Sequence, residues 1–492
     1  MKTYSHLRRV ILALLVAVGC LPHWVSARQA APVHAAQSDA ALDLVLTREA
    51  QRLLDLDRME KSQPSNVTVK ARADIAGKRL IIDFGSGFLP AEDDSSTEQI
   101  EQEISASLRH YMERAVLEEV QVEVLYEGRS FNHYFPMPEQ RDKKASATAP
   151  GAVLVSASHG WIRVHPSGAW ELQRPLLHGI QEDLITPGYA DELQQLLQER
   201  GGATVYRARR GGQELHPESQ HPWVEMSSRY HLKSLLPERT DIWNHFANST
   251  ERNREVKDDI RARPYYANHL GVEGLISIHT NGNRNEQVRG TEVYYHPAKP
   301  NDRELASLML CSMKELITSQ VGYESFPVRV MPLSANHGEN RFAEMPSVVV
   351  EVAYHSNALD AVALQDPIFR AASMKGVEKG YRLWASETAC VPFELGAIVD
   401  AQMPPLSSVD VPVPFAGNPQ FPVIAELTVA GCDEVGACEP YQQTLEEAAS
   451  PLMLRLACNG SGHGTAAWST VLRDADGVVT NPVKHLQICG NG

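Results

Sequence analysis

The stretch PSVVVEVAYHSN spans Pro346–Asn357 and decides how the rest of the chain is interpreted. Val348, Val349 and Val350 form a β-branched run behind a proline, the pattern typical of a strand buried on both faces. Glu351 interrupts this run. A carboxylate inside a buried strand is costly unless it is paired, protonated or bound to a metal. The stretch therefore predicts a buried strand that carries a functional acid.

Two other stretches repeat this design. Ala152–Gly160 (AVLVSASHG) is an apolar run that ends in His159, and Gly274–Asn281 (GLISIHTN) is another that carries His279. In open α/β sheets, ligands bind in the crevice outside the carboxyl ends of the strands. Three strands that each deliver a metal-ligating or acid–base side chain near that end predict one site at one edge of one sheet.

The length of the chain predicts several domains, since 492 residues correspond to roughly three domains of about 150 residues. From Gly151 the pattern alternates between strand and helix, which predicts an α/β fold with a central, mostly parallel sheet flanked by helices. The remaining boundaries are interpreted as a signal peptide (1–27), a tether and helix (28–65), a small N-terminal α+β domain (66–135), a linker (136–150), the α/β domain (151–390, with an insertion at about 211–257), a Pro-rich linker (391–422) and a disulfide-stapled C-terminal β-sandwich (423–492). The small α+β domain carries no catalytic pattern and is interpreted as a spacer or docking domain.

The first 27 residues have the composition of a secretory signal. Three basic residues precede the apolar run Val10–Gly19, and small residues lead to a cleavage site after Ala27. The apolar run is too short to span a bilayer. A membrane anchor would require lipidation of Cys20, whose preceding residues match lipoprotein processing weakly. The sequence therefore predicts an exported protein of the periplasm or cell envelope.

Charge and cysteine content agree with export. The formal net charge is -15, and removal of the three basic residues of the signal makes it -18. An acidic chain is a poor candidate for nucleic-acid binding, which relies on lysine and arginine at the phosphates. Disulfides are the natural interpretation of cysteines in an exported protein. Among the last four cysteines we favour the pairs Cys432–Cys438 and Cys458–Cys489, one of three possible connectivities.

The three strand-end stretches fit a hydrolytic zinc centre. Such a centre takes three ligands from histidine and carboxylate side chains and leaves a fourth position for water. His159 and His279 suit two of these places, and two residues are candidates for the third, Glu171 and Glu182. We favour Glu182 because it begins a helix, whose N-terminus stabilises a carboxylate, whereas Glu171 lies in a hairpin-like stretch. Glu351 remains for acid–base chemistry.

These residues resemble a known family, the zinc-dependent N-acetylmuramoyl-L-alanine amidases of amidase type 3. The similarity covers roughly Gly151–Ala385, about half of the chain. It rests on Ser158-His159-Gly160, Glu182-Asp183, Ser277-Ile278-His279-Thr280-Asn281, Gly290-Thr291-Glu292-Val293-Tyr294-Tyr295, Pro346-Ser347-Val348-Val349-Val350-Glu351 and Ser356-Asn357, with Arg261 and Ala267-Asn268 in the places of a family arginine and Ala-Asn pair. One departure is Ser156-Ala157-Ser158, where the family usually has Asp-Pro-Gly.

The resemblance implies a zinc ion on His159, Glu182 and His279, with Glu351 as general base. The implied substrate is the amide between the lactyl group of N-acetylmuramic acid and L-alanine, and the implied partners are the stem peptide and glycan strand of peptidoglycan. Divisome or other regulatory partners stay open. Two alternatives also stay open, a zinc amidohydrolase that acts on another peptide amide and a non-hydrolytic wall-binding module. Retention of both histidines and both glutamates argues against the module, because an apolar pocket would be more stable without them.

Overall fold

The computed structural model describes residues 31–61, 64, 66–140, 151–433, 438–446 and 451–490. The predicted signal peptide, including Cys20, and residues 141–150 of the predicted linker lie outside the described residues. Among the described residues, none of the helices combines the length and the apolar character that a membrane crossing requires.

The helices are α1 (Ala31–Lys61), α2 (Glu98–Val116), α3 (Phe131–Tyr134), α4 (Glu182–Gly201), α5 (Ser228–Leu235), α6 (Thr240–Trp243), α7 (Arg254–Leu270), α8 (Pro300–Thr318), α9 (Gly338–Arg341), α10 (Ala358–Gln365) and α11 (Pro367–Ala385). The strands are β1 (Val69–Asp74), β2 (Arg79–Phe84), β3 (Gln121–Tyr126), β4 (Ala152–Ala157), β5 (Ile162–Arg163), β6 (Trp170–Glu171), β7 (Thr204–Arg207), β8 (Gly274–Asn281), β9 (Glu292–Tyr295), β10 (Leu333–Ser334), β11 (Ser347–Tyr354), β12 (Glu394–Leu395), β13 (Ala401–Met403), β14 (Ser408–Pro412), β15 (Phe415–Ala416), β16 (Val423–Asp433), β17 (Tyr441–Leu445), β18 (Met453–Ala457), β19 (Gly464–Arg473) and β20 (Val483–Cys489).

The chain divides into two compact units. The first comprises the described residues within 1–198, 202–306 and 329–362, and the second comprises those within 199–201, 307–328 and 363–492.

In the first unit, an N-terminal layer consists of a three-stranded sheet, the helices α1 and α2 and the short helix α3. β1 pairs antiparallel with β2, and β2 pairs parallel with β3. Helix α2 contributes the apolar residues Ile100, Ile104, Leu108 and Met112 to the core of this layer. These residues recur at a spacing of four, which places them on one face of a helix. The same helix also buries polar residues, among them Arg109, so a second of its faces is covered as well.

A six-stranded mixed sheet, in the order β10-β9-β11-β8-β4-β7, forms the centre of the first unit. All neighbours are parallel except β9 and β11, which are antiparallel. Between β8 and β9 lie the residues 282–291, which form no helix. A parallel return needs a crossover of a dozen or more residues, so β9 runs in the opposite direction. Every residue of β8 and β11 is buried, as the apolar runs predict.

The register of this sheet positions the predicted site residues. Glu351 on β11 lies opposite His279 on the neighbouring β8, and Ala157 at the end of β4 lies opposite Ile278. The carboxyl ends of β4 and β8 therefore meet at one edge of the sheet, and His159 follows directly. Glu351 lies within β11 rather than at its end, since this strand continues to Tyr354 after an irregularity in the register.

The second unit contains the C-terminal β structure. A five-stranded sheet has the order β13-β20-β19-β16-β17, and β14 pairs with β18. The prediction of a linker over 391–422 is wrong for much of that segment, because it supplies β12, β13, β14 and β15. Its prolines fall at strand ends and between strands, as with Pro412 at the end of β14, where a missing N–H costs little.

Disulfides link cysteines within the second unit. The two predicted pairs, Cys432–Cys438 and Cys458–Cys489, are both present. A third bond joins Cys311 on α8 to Cys390, which follows α11, and closes a sequence separation of 79 residues. Oxidised cysteines fit the predicted compartment.

Helices α8 and α11 pack so closely in the second unit that a glycine is required. A Cβ atom at Gly376 would lie 2.5 Å from Met313 Cα and 2.8 Å from Met313 N. We expect Gly376→Ala to lower the free energy of unfolding by about 1–3 kcal/mol, because overpacking outweighs the better helix propensity of alanine. Urea unfolding measures the change. Gly201→Ala, at the end of α4 with open space around its Cβ position, is the control and should cause no loss. Equal stability of the two variants would contradict the argument.

Candidate active site

His159 is held by a tight turn that follows β4. It adopts a positive φ of 58°, and Gly160 has a φ of 111°. A Cβ atom at Gly160 would lie 2.7 Å from both Glu225 O and Ser227 N, so this position requires glycine. The Gly160 N–H donates to Asp183 Oδ1 at 2.9 Å. The Ser-His-Gly sequence thus forms a turn that is tied to the start of α4.

Glu182 is the first residue of α4, and its carboxylate is oriented by two donors. Its Oε1 atom accepts the Ser158 hydroxyl at 3.1 Å and the Thr280 N–H at 3.2 Å. Glu171, the other candidate from the sequence, lies on β6 and pairs with Arg252 at 2.7 Å, with 45% of its side chain exposed. The structure therefore brings Glu182, and not Glu171, to the two histidines.

Three ligand atoms converge between β4, β8 and α4. Glu182 Oε1 lies 3.3 Å from His159 Nε2 and 3.2 Å from His279 Nδ1. The two imidazole rings have their centroids 5.0 Å apart, and the three ligand atoms lie within 4.8 Å of one another. All three residues are buried. Two imidazole nitrogens and one carboxylate oxygen are a common ligand set of hydrolytic zinc sites, so these residues fit such an ion.

Glu351 lies beside this cluster in an apolar strand. Burial raises the pKa of the Glu351 carboxyl to about 8, although the imidazole of His279 acts in the opposite direction. Its Oε1 atom accepts a hydrogen bond from Gln102 Nε2 at 3.0 Å. Its Oε2 atom is buried and has no hydrogen-bond partner among the described residues. One carboxylate oxygen is therefore fixed and the other is available for a proton.

His279 has a second carboxylate partner that the sequence did not indicate. Glu339 Oε2 lies 3.0 Å from His279 Nε2. Burial would lower the pKa of His279, but the carboxylates of Glu339 and Glu182 raise it to about 10. Burial would raise the pKa of Glu339, but His279 and Arg263 hold it well below its ordinary value. Glu339 lies on the four-residue helix α9, outside the motifs that carry the family resemblance.

The arginine indicated by the resemblance is not the one that meets the site. Arg261 packs on the rings of Tyr265 and Phe342. Arg263, two residues later on α7, is fully buried and pairs with Asp259 and Glu339. The spacing of Asp259 and Arg263 by four residues predicts an ion pair on a helix, but it does not distinguish a buried pair from an exposed one.

Helix α2 of the N-terminal layer also reaches the site. Gln102 donates to Asn281 Oδ1 at 3.1 Å in addition to Glu351. The Ser107 hydroxyl donates to Asn283 Oδ1 at 3.0 Å. The small N-terminal domain (66–135), which we interpreted from the sequence as a spacer or docking domain, therefore contributes Gln102 to the site. Sequence reasoning missed Gln102 because it lies 249 residues from Glu351 and belongs to no motif.

A buried ion pair joins α2 to β9, and its removal should destabilise the protein. Arg109 contacts Glu292, which also accepts the hydroxyls of Tyr294 at 2.7 Å and Tyr354 at 2.8 Å. We expect Arg109→Met to lower the free energy of unfolding by about 3–5 kcal/mol, because Glu292 would keep a buried charge without its cation. Thermal or urea unfolding measures this loss.

The matched control is the exposed pair of Arg79 and Asp74 in the same N-terminal layer. Arg79→Met should leave stability nearly unchanged, because solvent screens that pair. Equal stability of Arg109→Met and the wild type would show that the charge of Glu292 is satisfied without the arginine.

A family model matches the part of the chain that contains this site. Residues 153–381 match the family model Amidase_3, described as N-acetylmuramoyl-L-alanine amidase. A comparison with curated proteins finds no match.

Solved amidase structures are also similar over about half of this chain. The catalytic domain of CwlV from Bacillus (Paenibacillus) polymyxa var. colistinus is 18% identical with a TM-score of 0.31, over 47% of this chain and 95% of that chain. Ami1 from Mycobacterium smegmatis is 14% identical with a TM-score of 0.31, over 49% of this chain and 100% of that chain. CwlD from Clostridioides difficile, solved in complex with the GerS lipoprotein, is 15% identical with a TM-score of 0.33, over 48% and 98%.

The family match spans β4 to α11 and so includes His159, Glu182, His279 and Glu351. Residues 153–381 of this chain therefore belong to the N-acetylmuramoyl-L-alanine amidases, hydrolases that cleave an amide bond of peptidoglycan.

Proposed function

We propose that the amidase activity depends on a zinc ion held by His159, Glu182 and His279, with Glu351 as the general base. The observation that carries this proposal is the convergence of three buried ligand atoms beside a buried carboxylate. The proposed substrate bond is the amide between the lactyl group of N-acetylmuramic acid and L-alanine of the stem peptide.

Three of the four side chains would hold the ion, and Glu351 has a separate part in the chemistry. When bound, zinc would supply a Lewis acid that polarises the amide carbonyl and lowers the pKa of water toward about 7. Glu351 removes the proton from the attacking water and returns it to the leaving amine, since an unassisted amide nitrogen is a poor leaving group. Its Oε2 atom, which has no partner among the described residues, suits this transfer.

The surroundings of Glu182 support its proposed part as a ligand. Ser158 and the Thr280 N–H both donate to Oε1, so the carboxylate is held in one orientation and in its ionised form. Burial alone would raise the pKa of Glu182, but His159 and His279 hold it well below its ordinary value. An ionised, oriented carboxylate is ready to bind a cation.

We also infer that the protein acts outside the cytoplasm, in the periplasm or cell envelope. Three disulfides among the described residues support this location, because such bonds persist in oxidising compartments. Peptidoglycan as substrate requires the same location.

Digestion of purified peptidoglycan by the full chain tests the proposed bond. Mass spectrometry should identify stem peptides with a free L-alanine amino group and glycan strands with an intact lactyl carboxyl group. Products from a different amide would support the alternative of another amidohydrolase. Binding to peptidoglycan without any product would support the wall-binding module. A metal chelator should stop product formation, and chelator-resistant cleavage would contradict the metal mechanism.

A further inference from the structure

Each histidine of the proposed metal centre directs its second nitrogen to a protein partner. His159 turns Nε2 toward Glu182, and its Nδ1 lies 3.3 Å from Gln173 Oε1. His279 turns Nδ1 toward Glu182, and its Nε2 lies 3.0 Å from Glu339 Oε2. The two rings therefore present opposite nitrogens to the same carboxylate oxygen.

The two outer partners belong to one connected set of hydrogen bonds. Gln173 Nε2 donates to Asp259 Oδ2 at 3.1 Å. The guanidinium of Arg263 donates to that same Asp259 oxygen and to Glu339 Oε1. Contacts thus run without a gap from His159 through Gln173, Asp259, Arg263 and Glu339 to His279.

This set is costly to bury, which argues that it has a purpose beyond stability. Arg263 and Asp259 are fully buried, and Glu339 is 4% exposed. Two carboxylates and one guanidinium lose their hydration there, and apolar residues of the same volume would often be as stable or more stable. The amide of Gln173 is oriented as well, because its NH2 group faces Asp259 and leaves Oε1 to accept from His159.

We propose that Gln173, Asp259, Arg263 and Glu339 form one positioning network that fixes the tautomers of both metal-binding histidines. Glu339 holds the proton of His279 on Nε2, and Gln173 holds the proton of His159 on Nδ1. The opposite nitrogen of each ring is then free to bind the metal. This inference rests on the proposed function, and none of the four residues is assigned a chemical step.

Zinc affinity tests the network without an activity assay. Competition with a chromophoric chelator gives the zinc dissociation constant of the wild type and of Glu339→Gln, Gln173→Ala and Arg263→Ala. We expect each variant to bind zinc about 10–100-fold more weakly, the usual effect of losing an outer partner of a metal-binding histidine. Arg261→Ala is the matched control, since Arg261 lies on the same helix but packs on Tyr265 and Phe342, and it should bind zinc as the wild type does.

A second measurement separates positioning from a general loss of structure. ¹⁵N NMR of the histidine rings in the zinc-bound full chain should show a proton on His279 Nε2 and on His159 Nδ1. Glu339→Gln, which keeps the shape of the side chain, should weaken zinc binding while circular dichroism stays unchanged. Wild-type zinc affinity in both Glu339→Gln and Gln173→Ala, or the opposite protonation in the wild type, would overturn the network. A wild type that binds no zinc would instead contradict the proposed function.

A different observation, the closure of the site, supports a second inference. Glu351 is 3% exposed and His279 is 8% exposed. Helix α2 lies against both ends of the site. Glu98 accepts the Gly338 N–H at 2.7 Å, and Glu103 accepts the Arg284 N–H at 3.0 Å. Gln102, between these anchors, occupies Oε1 of Glu351.

We infer that α2 is a cover that must move before a peptidoglycan strand can reach Glu351. A substrate amide has to approach both the proposed metal and the general base, and the side chain of Gln102 stands at that base. Solvent can replace the hydrogen bonds of Glu98 and Glu103 to Gly338 and Arg284 when the helix moves. The movement must also open two buried contacts of α2, the packing of Ala106 on Val288 and the ion pair of Arg109 with Glu292.

The variant Gln102→Ala tests the cover, with Arg79→Met as a control in the same domain. We expect kcat/KM on peptidoglycan to rise about two- to tenfold, which corresponds to the loss of one hydrogen bond that holds the covered state. Hydrogen exchange of the α2 amides in the full chain should become faster. An unchanged or lower kcat/KM would overturn the cover, and a lower kcat with unchanged exchange would indicate that Gln102 positions Glu351 instead.

Discussion

Changing Glu351 to glutamine should lower kcat by about 10²–10⁴-fold while the protein keeps its zinc. Glutamine has nearly the same shape, but it cannot accept the proton of the attacking water. The hydrogen bond from Gln102 is directed at Oε1, which a glutamine oxygen can replace, so the fold should persist. Peptidoglycan turnover and zinc content, both measured on the full chain, give the two parts of the result.

The matched control for this change is Glu171→Gln. Glu171 was the competing acid in the sequence, but it lies on β6 and pairs with Arg252 at the surface. We expect kcat within about twofold of the wild type there, because exposed ion pairs contribute little. A near-normal rate in Glu351→Gln would refute its part as general base, and loss of zinc in that variant would make it a ligand instead.

Removing a metal ligand should lower turnover as strongly as the change at Glu351, but the cause would be loss of the metal ion and not loss of the general base. We expect His159→Ala and His279→Ala each to lose zinc and with it all measurable turnover, because two remaining ligands hold the ion poorly. Wild-type protein treated with a chelator should lose activity in the same way and regain it when zinc is returned.

Thermal unfolding distinguishes metal loss from damage to the fold. Free zinc at 100 times its dissociation constant should stabilise the wild type by about 2.7 kcal/mol, since zinc binds the folded state. The histidine variants should not respond to zinc. Stabilisation of His159→Ala by zinc, equal to that of the wild type, would place the ion elsewhere.

Much of the central fold could be predicted from local pattern. The runs around Ile276 and Val349 predicted strands buried on both faces, and every residue of β8 and β11 is buried. The antiparallel direction of β9 was not predicted, since it depends on the short connection after Asn281 and not on the residues of the strand itself. The proline content of 391–422 suggested a linker, although prolines are also tolerated at strand ends.

The candidate site likewise contains some residues that could be predicted from the sequence and others that could not. Convergence of His159, Glu182 and His279 could be predicted because parallel strands bring their carboxyl ends to one edge of a sheet. Gln102 and Glu339 could not, because their proximity depends on tertiary packing. No spacing rule connects α2 or α9 with β8 and β11. The assignment of zinc to the three ligands stays a prediction until metal is measured.

The hydrogen bonds that pass through Arg263 have a consequence for natural variation of this domain. Since Asp259 and Glu339 share one guanidinium, a lineage that loses Arg263 would leave two buried acids without their common cation. Replacement of one member alone should therefore be selected against. We expect relatives of this chain to keep Gln173, Asp259, Arg263 and Glu339 together or to exchange them as a set.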